Sequence, residues 1–385
     1  ITSSIFKRQS KDFKDFISGF YERRIKRLVP ALSVFVFICS LLICLFNQNP
    51  GSSLKTGIFS LFGLSNFYLL KGSIDYFAQS TELNIFTHTW SLAVEEQFYI
   101  LFPFLVCLSG FGRQTKNGAR NLFLIMLITS IASIVSFLYL YPINQPAAYF
   151  LMPSRFWEMA AGCLTFIIIQ KRKSIRIWLE KIPPFLIIGT IIGIMYLPLS
   201  FAEISTIVVV VLSSVLLVSL NSQTLAFKFF TNSNITYIGL ISYSLYLWHW
   251  GVLSISRWTI GIYWWSVPFQ IAIIFFISAK SYEWIENPLR KNIWFGTRKN
   301  TIAMGGGVLF LITGFLYSLL KPFSGQLYTG APNLKFNNKF DFPTEMKNCN
   351  MTPHVLSGKD YKVQPEFNAE FFKKCLLSHG SFHYF

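Results

Sequence analysis

Residues 20–46 read FYERRIKRLVPALSVFVFICSLLICLF, a basic segment followed at once by an apolar one. Arg23, Arg24, Lys26 and Arg27 precede an uncharged run of 19 residues, 28–46. A helix needs roughly 20 apolar residues to cross a hydrocarbon core of about 30 Å. The stretch therefore predicts a membrane-spanning helix with a strongly basic end.

Further apolar runs of similar length follow this first one. They are 97–111, 122–141, 156–169, 184–200, 204–220, 235–256, 263–279 and 302–320. The number of lysines and arginines alternates between high and low in successive gaps between these runs. Of these residues, 22 lie in one set of alternate gaps and four in the other. Because cytoplasmic loops carry the excess of positive charge, the basic start is predicted to be cytoplasmic and the tail from Lys321 external. We expect an all-α polytopic integral membrane protein with about nine transmembrane helices.

One apolar segment, 58–70, is predicted not to cross. It has 13 residues and is interrupted by Gly63, Ser65 and Asn66. If it crossed, every later basic loop would fall on the outside. We interpret it as a re-entrant or interfacial piece, which is tolerated at membrane depth where protein or a wet cavity covers it.

Composition fits a membrane protein better than a soluble one. Hydrophobic residues make up 52% and charged residues 13% of the chain. The net charge of +17 is explained by cytoplasmic loops that face anionic lipid, so no nucleic-acid partner is expected. No metal-ligand spacing occurs. Cys349 and Cys375 fall in the external tail, where an oxidising space would allow a disulfide.

Both ends of the sequence look cut. The chain opens ITSSIF without an initiator Met, and an even number of upstream spans would return the start to the cytoplasm. Residues 321–385 are polar and spaced with prolines. They are expected to form a linker and the first part of an external domain.

Two groups of ionisable residues are expected near the cytoplasmic face. Arg23, Arg24 and Arg27 have helical spacing, and guanidinium groups bind phosphate oxygens in pairs, which suits a soluble phosphorylated cofactor. The alternative is a lipid-headgroup anchor. Glu286 and Arg290, in SYEWIENPLRK, are interpreted as a structural helix terminus, although Glu286 could also orient one of the arginines.

A second set of polar residues is expected at the outer face. Adjacent carboxylates at low dielectric raise each other's proton affinity, the usual preparation for acid or base chemistry. The alternatives are an i,i+3 salt bridge and histidines in an interfacial aromatic belt. The residues concerned are His88, Glu95, Glu96, Arg155, Glu158 and His249.

Five motifs together resemble the acyltransferase 3 family of integral membrane acyltransferases. They occur in the family's order and are FYERRIKRLVP, HTWSLAVEEQFYILFP, PSRFWEMAAG, SYSLYLWHW and SYEWIENPLRK. The resemblance covers roughly residues 1–300. Residues 301–320 form an additional transmembrane helix, and residues 321–385 resemble the linker to a periplasmic SGNH-type domain in fused bacterial members.

The resemblance implies a transmembrane O-acetyltransferase of the bacterial inner membrane. Acetyl-CoA would bind Arg23, Arg24 and Arg27 from the cytoplasm, and the acetyl group would pass to a hydroxyl of an external glycan such as lipopolysaccharide O-antigen. His88, Glu95 and Glu96 would serve the acceptor pocket, supported by Arg155, Glu158 and His249. No metal is implied. The expected partners are membrane lipid and a polysaccharide or lipid-linked glycan.

The chain departs from the family pattern in three ways. The family's essential histidine lies on its first helix, and no residue of this sequence matches it. The family's C-terminal catalytic serine motif is also absent from this sequence. Gly251 stands where many members have proline. We therefore expect this fragment to be inactive alone. A transporter or flippase for a lipid-linked glycan is the main alternative, and a structural envelope protein is a weaker one.

Overall fold

A computed structural model describes residues 2–6, 12–73, 82–292, 294, 296–321, 323 and 325–330. Secondary structure in this part of the chain is helical throughout, as the apolar runs predict. The α-helices are α1 (Thr2–Phe6), α2 (Phe13–Phe46), α3 (Gly51–Leu61), α4 (Ser65–Ser73), α5 (Thr89–Ser109), α6 (Gly118–Ile143), α7 (Gln145–Phe150), α8 (Met152–Lys171), α9 (Lys173–Leu179), α10 (Pro184–Met195), α11 (Ala202–Ser219), α12 (Leu225–Phe230), α13 (Ser233–Trp258), α14 (Val267–Ser281), α15 (Asn287–Lys291) and α16 (Arg298–Leu320). Two 3₁₀ turns and a π-helical turn are also present: Phe111–Arg113, Leu199–Phe201 and Tyr282–Glu286. Of the predicted linker and external domain, 321–385, everything from residue 331 onward, including Cys349 and Cys375, lies outside the described residues.

The number of helices able to span a membrane is lower than predicted. Each of the nine apolar runs overlaps a helix, but only six helices of the described residues are long and apolar enough alone: α2, α5, α6, α11, α13 and α16. The pair α9 and α10, bent by 73°, makes a seventh if it counts as one span. The other two predicted spans do not qualify. Helix α14 has only 15 residues, and α8 contains the charged residues Arg155 and Glu158.

Helix α2 connects two hydrophobic cores of the bundle. Its first half, with Phe16 and Phe20, packs in one core with α5, α6 and α8. Its second half, with Phe35 and Ile43, packs in the other core with α3, α13 and α16. Because one 34-residue helix contributes to both cores, α2 fixes the relative position of the elements that carry the polar residues.

Gly251, the departure from the family pattern, lies inside the continuous helix α13. A Cβ atom at this position would come within 2.8 Å of Phe35 Cε2 and 3.2 Å of Cys39 Sγ. Real Cβ contacts are longer than the first of these distances. The close packing of α13 on α2 therefore requires a residue without a side chain here.

Helices α2 and α5 run antiparallel along each other. The rings of Phe13 and Phe104 are 6.5 Å apart, the Tyr21 hydroxyl donates to the Ile100 carbonyl at 3.2 Å, and the Phe35 ring is 5.6 Å from His88. Phe35 lies eleven residues before the end of α2, which is about 16 Å at 1.5 Å per residue. The start of α5 is therefore well inside the bundle.

The segment predicted not to cross is split into the short helices α3 and α4. Gly63, in the break between them, has φ of 64°, a left-handed conformation that favours glycine. The Gln97 side-chain amide donates to the Gly63 carbonyl at 2.9 Å. At 11 and 9 residues, neither helix is long enough to span a bilayer, which agrees with the predicted interruption.

Candidate active site

The acidic pair of α5 lies inside the helix and not before it. The predicted run began at residue 97, whereas α5 begins at Thr89, so the helix carries Glu95 and Glu96 in its second turn. The sequence prediction was wrong here because it read charge as the end of a span. Arg24 of α2 and the tyrosines Tyr243 and Tyr246 of α13 interact electrostatically with this acidic pair.

Glu95 and Arg24 lie in one cluster, joined by Tyr99. The Arg24 guanidinium carbon lies 4.3 Å from the centre of the Tyr99 ring, and the Tyr99 hydroxyl donates to Glu95 Oε1. Arg24 is also close enough to Glu95 for a direct electrostatic interaction. The sequence had assigned Arg24 to a donor site and Glu95 to an acceptor site. The structure brings these two residues together.

Arg23 and Arg27, the other two arginines of the predicted donor cluster, have surroundings different from those of Arg24. Arg23 and Arg27 are exposed, whereas Arg24 is half-buried. Arg27 interacts electrostatically with Glu286, across the interface between α2 and the π-helical turn. The predicted cluster therefore divides into two exposed guanidinium groups and one that faces the interior.

Glu286 is buried, with 1% of its surface exposed, and is held by a neighbouring helix. The Ser244 hydroxyl donates to Glu286 Oε2 at 3.1 Å. Burial raises the pKa of the Glu286 carboxyl, while the Ser244 hydrogen bond, Arg27 and Arg290 act in the opposite direction. Arg27 of α2 therefore acts electrostatically on Glu286, and the orientation of an arginine by Glu286 stays a prediction.

The π-helical turn that carries Glu286 is followed closely by a proline. Pro288 has no amide hydrogen to donate to the residue four positions earlier. The amide before it, Asn287 N, donates to the Tyr282 carbonyl five residues back. Such turns occur often at functional sites. This one places Glu286 against Ser244.

His88 is buried at the N-terminal end of α5 and close to His249. It is 7% exposed, and the two imidazole rings are 5.5 Å apart. Neither ring nitrogen of His88 has a partner of normal hydrogen-bond geometry within the described residues, and the same holds for Trp248 Nε1. Buried polar groups are normally hydrogen-bonded. A backbone group of Leu247 lies within electrostatic reach of the His88 ring, and a substrate role for this ring stays a prediction.

Tyr246 fixes the backbone that carries His88. Its hydroxyl donates to the His88 carbonyl at 2.6 Å and also hydrogen-bonds the Ser91 hydroxyl. Its ring is 5.3 Å from the His88 ring and 5.5 Å from His249. Helix α13 therefore positions the histidine pair from one side of α5.

Arg155 and Glu158 form the i,i+3 ion pair that the sequence predicted. Arg155 Nη2 is 2.9 Å from Glu158 Oε2, and the Arg155 guanidinium carbon lies 5.3 Å from the Trp90 ring and 5.0 Å from the Tyr149 ring. Trp90 is two residues from His88. The pair therefore packs beside the start of α5 without touching the histidines in any described contact.

Tyrosines are the site residues that sequence reasoning missed. Tyr99 follows Glu95 by four residues and so shares its helical face, a spacing that could have identified it. Tyr243, whose hydroxyl donates to the Leu28 carbonyl at 3.0 Å, could not be found this way because its partners lie on other helices. Within the described residues, no group of three His, Cys, Asp or Glu side chains could hold a metal ion.

Comparison with known proteins identifies the family. A model described as an acyltransferase domain matches residues 13–280. The chain belongs to the acyltransferase 3 family. The resemblance drawn from the five motifs is thereby confirmed at the level of the family, while the fused SGNH-type domain stays a prediction.

Curated proteins that are similar to this chain include bacterial O-acetyltransferases. The O-acetyltransferase OatA of Staphylococcus aureus, in strains NCTC 8325 and MRSA252, is 26% identical to this chain over 319 residues. The match covers 76% of this chain and 50% of each relative, so the chain spans about half the length of the curated relatives it matches. No solved structure matches the chain.

Proposed function

We propose that this chain is the membrane domain of an O-acetyltransferase. It would move an acetyl group from cytoplasmic acetyl-CoA to hydroxyls of an extracytoplasmic glycan, such as lipopolysaccharide O-antigen. Membership of the acyltransferase 3 family and the names of the relatives support the reaction class. In this proposal the protein is a multi-pass protein of the bacterial inner membrane with a periplasmic C-terminal tail.

The observation that carries the proposal is a set of polar side chains, at positions 88, 95 and 99, whose helical spacing places them in a line on one face of α5. Tyr99 contacts Arg24, Glu95 contacts Tyr99, and His88 lies at the other end of the line. The line extends over twelve residues, from 88 to 99, which is a rise of about 16 Å along the helix. Ionisable groups are costly within a membrane, so such a line supports a substrate path through the bundle.

Each group has a role that acyl transfer requires. The exposed guanidiniums of Arg23 and Arg27, with Arg24 behind them, suit the phosphates of coenzyme A. An acceptor hydroxyl oxygen attacks the thioester carbonyl carbon, the new C–O bond forms, and the C–S bond breaks. A base removes the hydroxyl proton, which finally reaches the departing thiolate. His88, Glu95 and Glu96 are the candidates for that base.

Residues around the line complete the acceptor side in this proposal. His249 faces His88, and the Arg155–Glu158 pair stiffens the start of α5 through Trp90. Glu286, with Arg290 beside it, holds Arg27 in place on the donor side. These groups support the reacting ones and need not contact substrate.

The test is acetyl transfer by membranes that contain the complete gene product. Glu95→Gln, Glu96→Gln and His88→Ala are each measured for acetyl-CoA consumption and for acetyl ester on the glycan. Losing a general base lowers rates by about 10² to 10⁴-fold, so at least one variant should fall by that amount. Glu180→Gln is the control, because Glu180 pairs with Arg176 at 2.7 Å outside the site.

Two results would contradict the proposal. Full activity in all three variants would remove the proposed acceptor site. Transport of a glycan without any release of acetyl groups from acetyl-CoA would instead favour the transporter alternative.

A further inference from the structure

Arg24 differs from its neighbours in what its side chain contacts. Its guanidinium group lies over the face of the Tyr99 ring at 4.3 Å and near the Phe20 ring at 5.6 Å. A planar guanidinium stacks on an aromatic ring in this way, and the contact is stronger when water is excluded. Arg24 is therefore engaged by aromatic groups of the interior, whereas Arg23 and Arg27 are exposed.

Tyr99 contacts one residue through its ring and another through its hydroxyl. Its ring receives Arg24, and its hydroxyl donates to Glu95 Oε1. Tyr99 and Glu95 are four residues apart on α5, so the helix itself keeps them adjacent. The core formed with Phe98 and Phe102 limits how far the Tyr99 ring can move.

The contacts have a direct consequence for the orientation of Glu95. A carboxylate can rotate about its side-chain torsions unless a partner fixes it, and the Tyr99 hydroxyl is a hydrogen-bond donor that fixes one oxygen. The other partner of Tyr99 belongs to α2, the helix whose exposed arginines face the donor in the proposed function. Tyr99 thus lies between the two halves of the proposed reaction.

We propose that Tyr99 and Arg24 form a positioning unit that holds Glu95 for acyl transfer and couples it to the donor side. The inference rests on the proposed function and deepens it. Tyr99 aims the carboxylate, Arg24 holds the Tyr99 ring, and neither needs to touch the reacting atoms. Arg24 then acts on turnover, while Arg23 and Arg27 act on donor affinity.

The first test removes only the Tyr99 hydroxyl. Tyr99→Phe keeps the ring that Arg24 contacts. In the complete protein we expect kcat for glycan acetylation to fall about tenfold, with KM for acetyl-CoA unchanged. The ratio of glycan acetylation to acetyl-CoA hydrolysis should also fall, because water still reaches the donor when the acceptor base is misaligned.

Matched variants separate positioning from structure. Tyr141→Phe removes a hydroxyl that accepts from Gln145 at 3.0 Å and should leave kcat and the ratio unchanged. Arg24→Lys keeps the charge but loses the planar stacking, so it should reproduce the Tyr99→Phe phenotype. Arg27→Lys should instead raise KM. A damaged fold would lower transfer and hydrolysis together and leave their ratio constant.

A double-mutant cycle tests whether Tyr99 and Glu95 act together or independently. Residues in contact show non-additive effects, so Tyr99→Phe should add little to Glu95→Gln. Additive losses, or a Tyr99→Phe enzyme with normal kcat and a normal ratio, would overturn the positioning unit. If Glu95→Gln itself retained full transfer, the proposed base would fail and not only its positioning.

Discussion

At the scale of single residues, two neighbouring carboxylates of the π-helical turn illustrate how burial decides chemistry. Glu286 is buried against Ser244, and its pKa is raised, chiefly by burial. Glu283, three residues earlier, is exposed and accepts from Lys280 Nζ at 2.8 Å, and its pKa is lowered chiefly by that hydrogen bond. The same turn therefore contains two acids with opposite responses to pH.

The pH dependence of stability should distinguish these two acids. The folded protein binds the Glu286 proton more tightly than the unfolded chain does. Glu286 therefore stabilises the fold at low pH, and this stabilisation is lost as the pH rises above 4.5, the ordinary pKa of a glutamate. Glu286→Gln should flatten that decline in thermal unfolding of the detergent-solubilised protein. Glu283→Gln should act in the opposite sense, since the stability it removes is present above pH 4.5 and lost on acidification. Identical profiles for wild type and Glu286→Gln would contradict the assignment.

At the scale of elements, the break between α3 and α4 brings backbone to the acidic pair. Gly63 is in the left-handed region, and a Cβ atom there would collide with the Glu96 carboxylate. The backbone at Gly63, between α3 and α4, thus packs closely against α5. Its geometry depends on one glycine.

Gly63→Ala should lower the free energy of unfolding by more than about 1–2 kcal/mol, the cost of the left-handed conformation for a residue with a Cβ atom. The displaced Glu96 should reduce acetyl transfer as well. Gly189→Ala is the control, because Gly189 lies within α10 and a Cβ atom there meets nothing within 4 Å. That variant should gain about 0.5–1 kcal/mol. Equal effects of the two changes, measured by denaturant or thermal unfolding, would show that the break needs no glycine.

Sequence predicted the helices well and the contacts between them poorly. Apolar length located every major helix, since a membrane demands long uncharged runs. It misplaced the start of α5 because the polar stretch before residue 97 is stabilised by other helices, which no local pattern records. Glu95 and Arg24 were predicted as functional residues on opposite sides. Their contact through Tyr99 depends on how α2 and α5 pack.

At the scale of the whole molecule, the described bundle is organised around α2. This helix carries the basic residues at one end, joins both hydrophobic cores, and packs against the helices that hold His88, Glu95 and Glu286. In the function proposed above, this arrangement binds the donor and the acceptor on different sides of the membrane. The polar line along α5 and the charge asymmetry of the loops are the features that support the proposed transfer through the bundle, and the family match supports its reaction class.

Proteoliposomes test this transfer most directly. The complete protein is reconstituted in one orientation, with acetyl-labelled acetyl-CoA on the side of Arg23 and the glycan acceptor only on the opposite side. We predict labelled acetyl ester on the glycan while acetyl-CoA remains unable to cross. Label that appears only when donor and acceptor share one side would contradict transfer across the membrane.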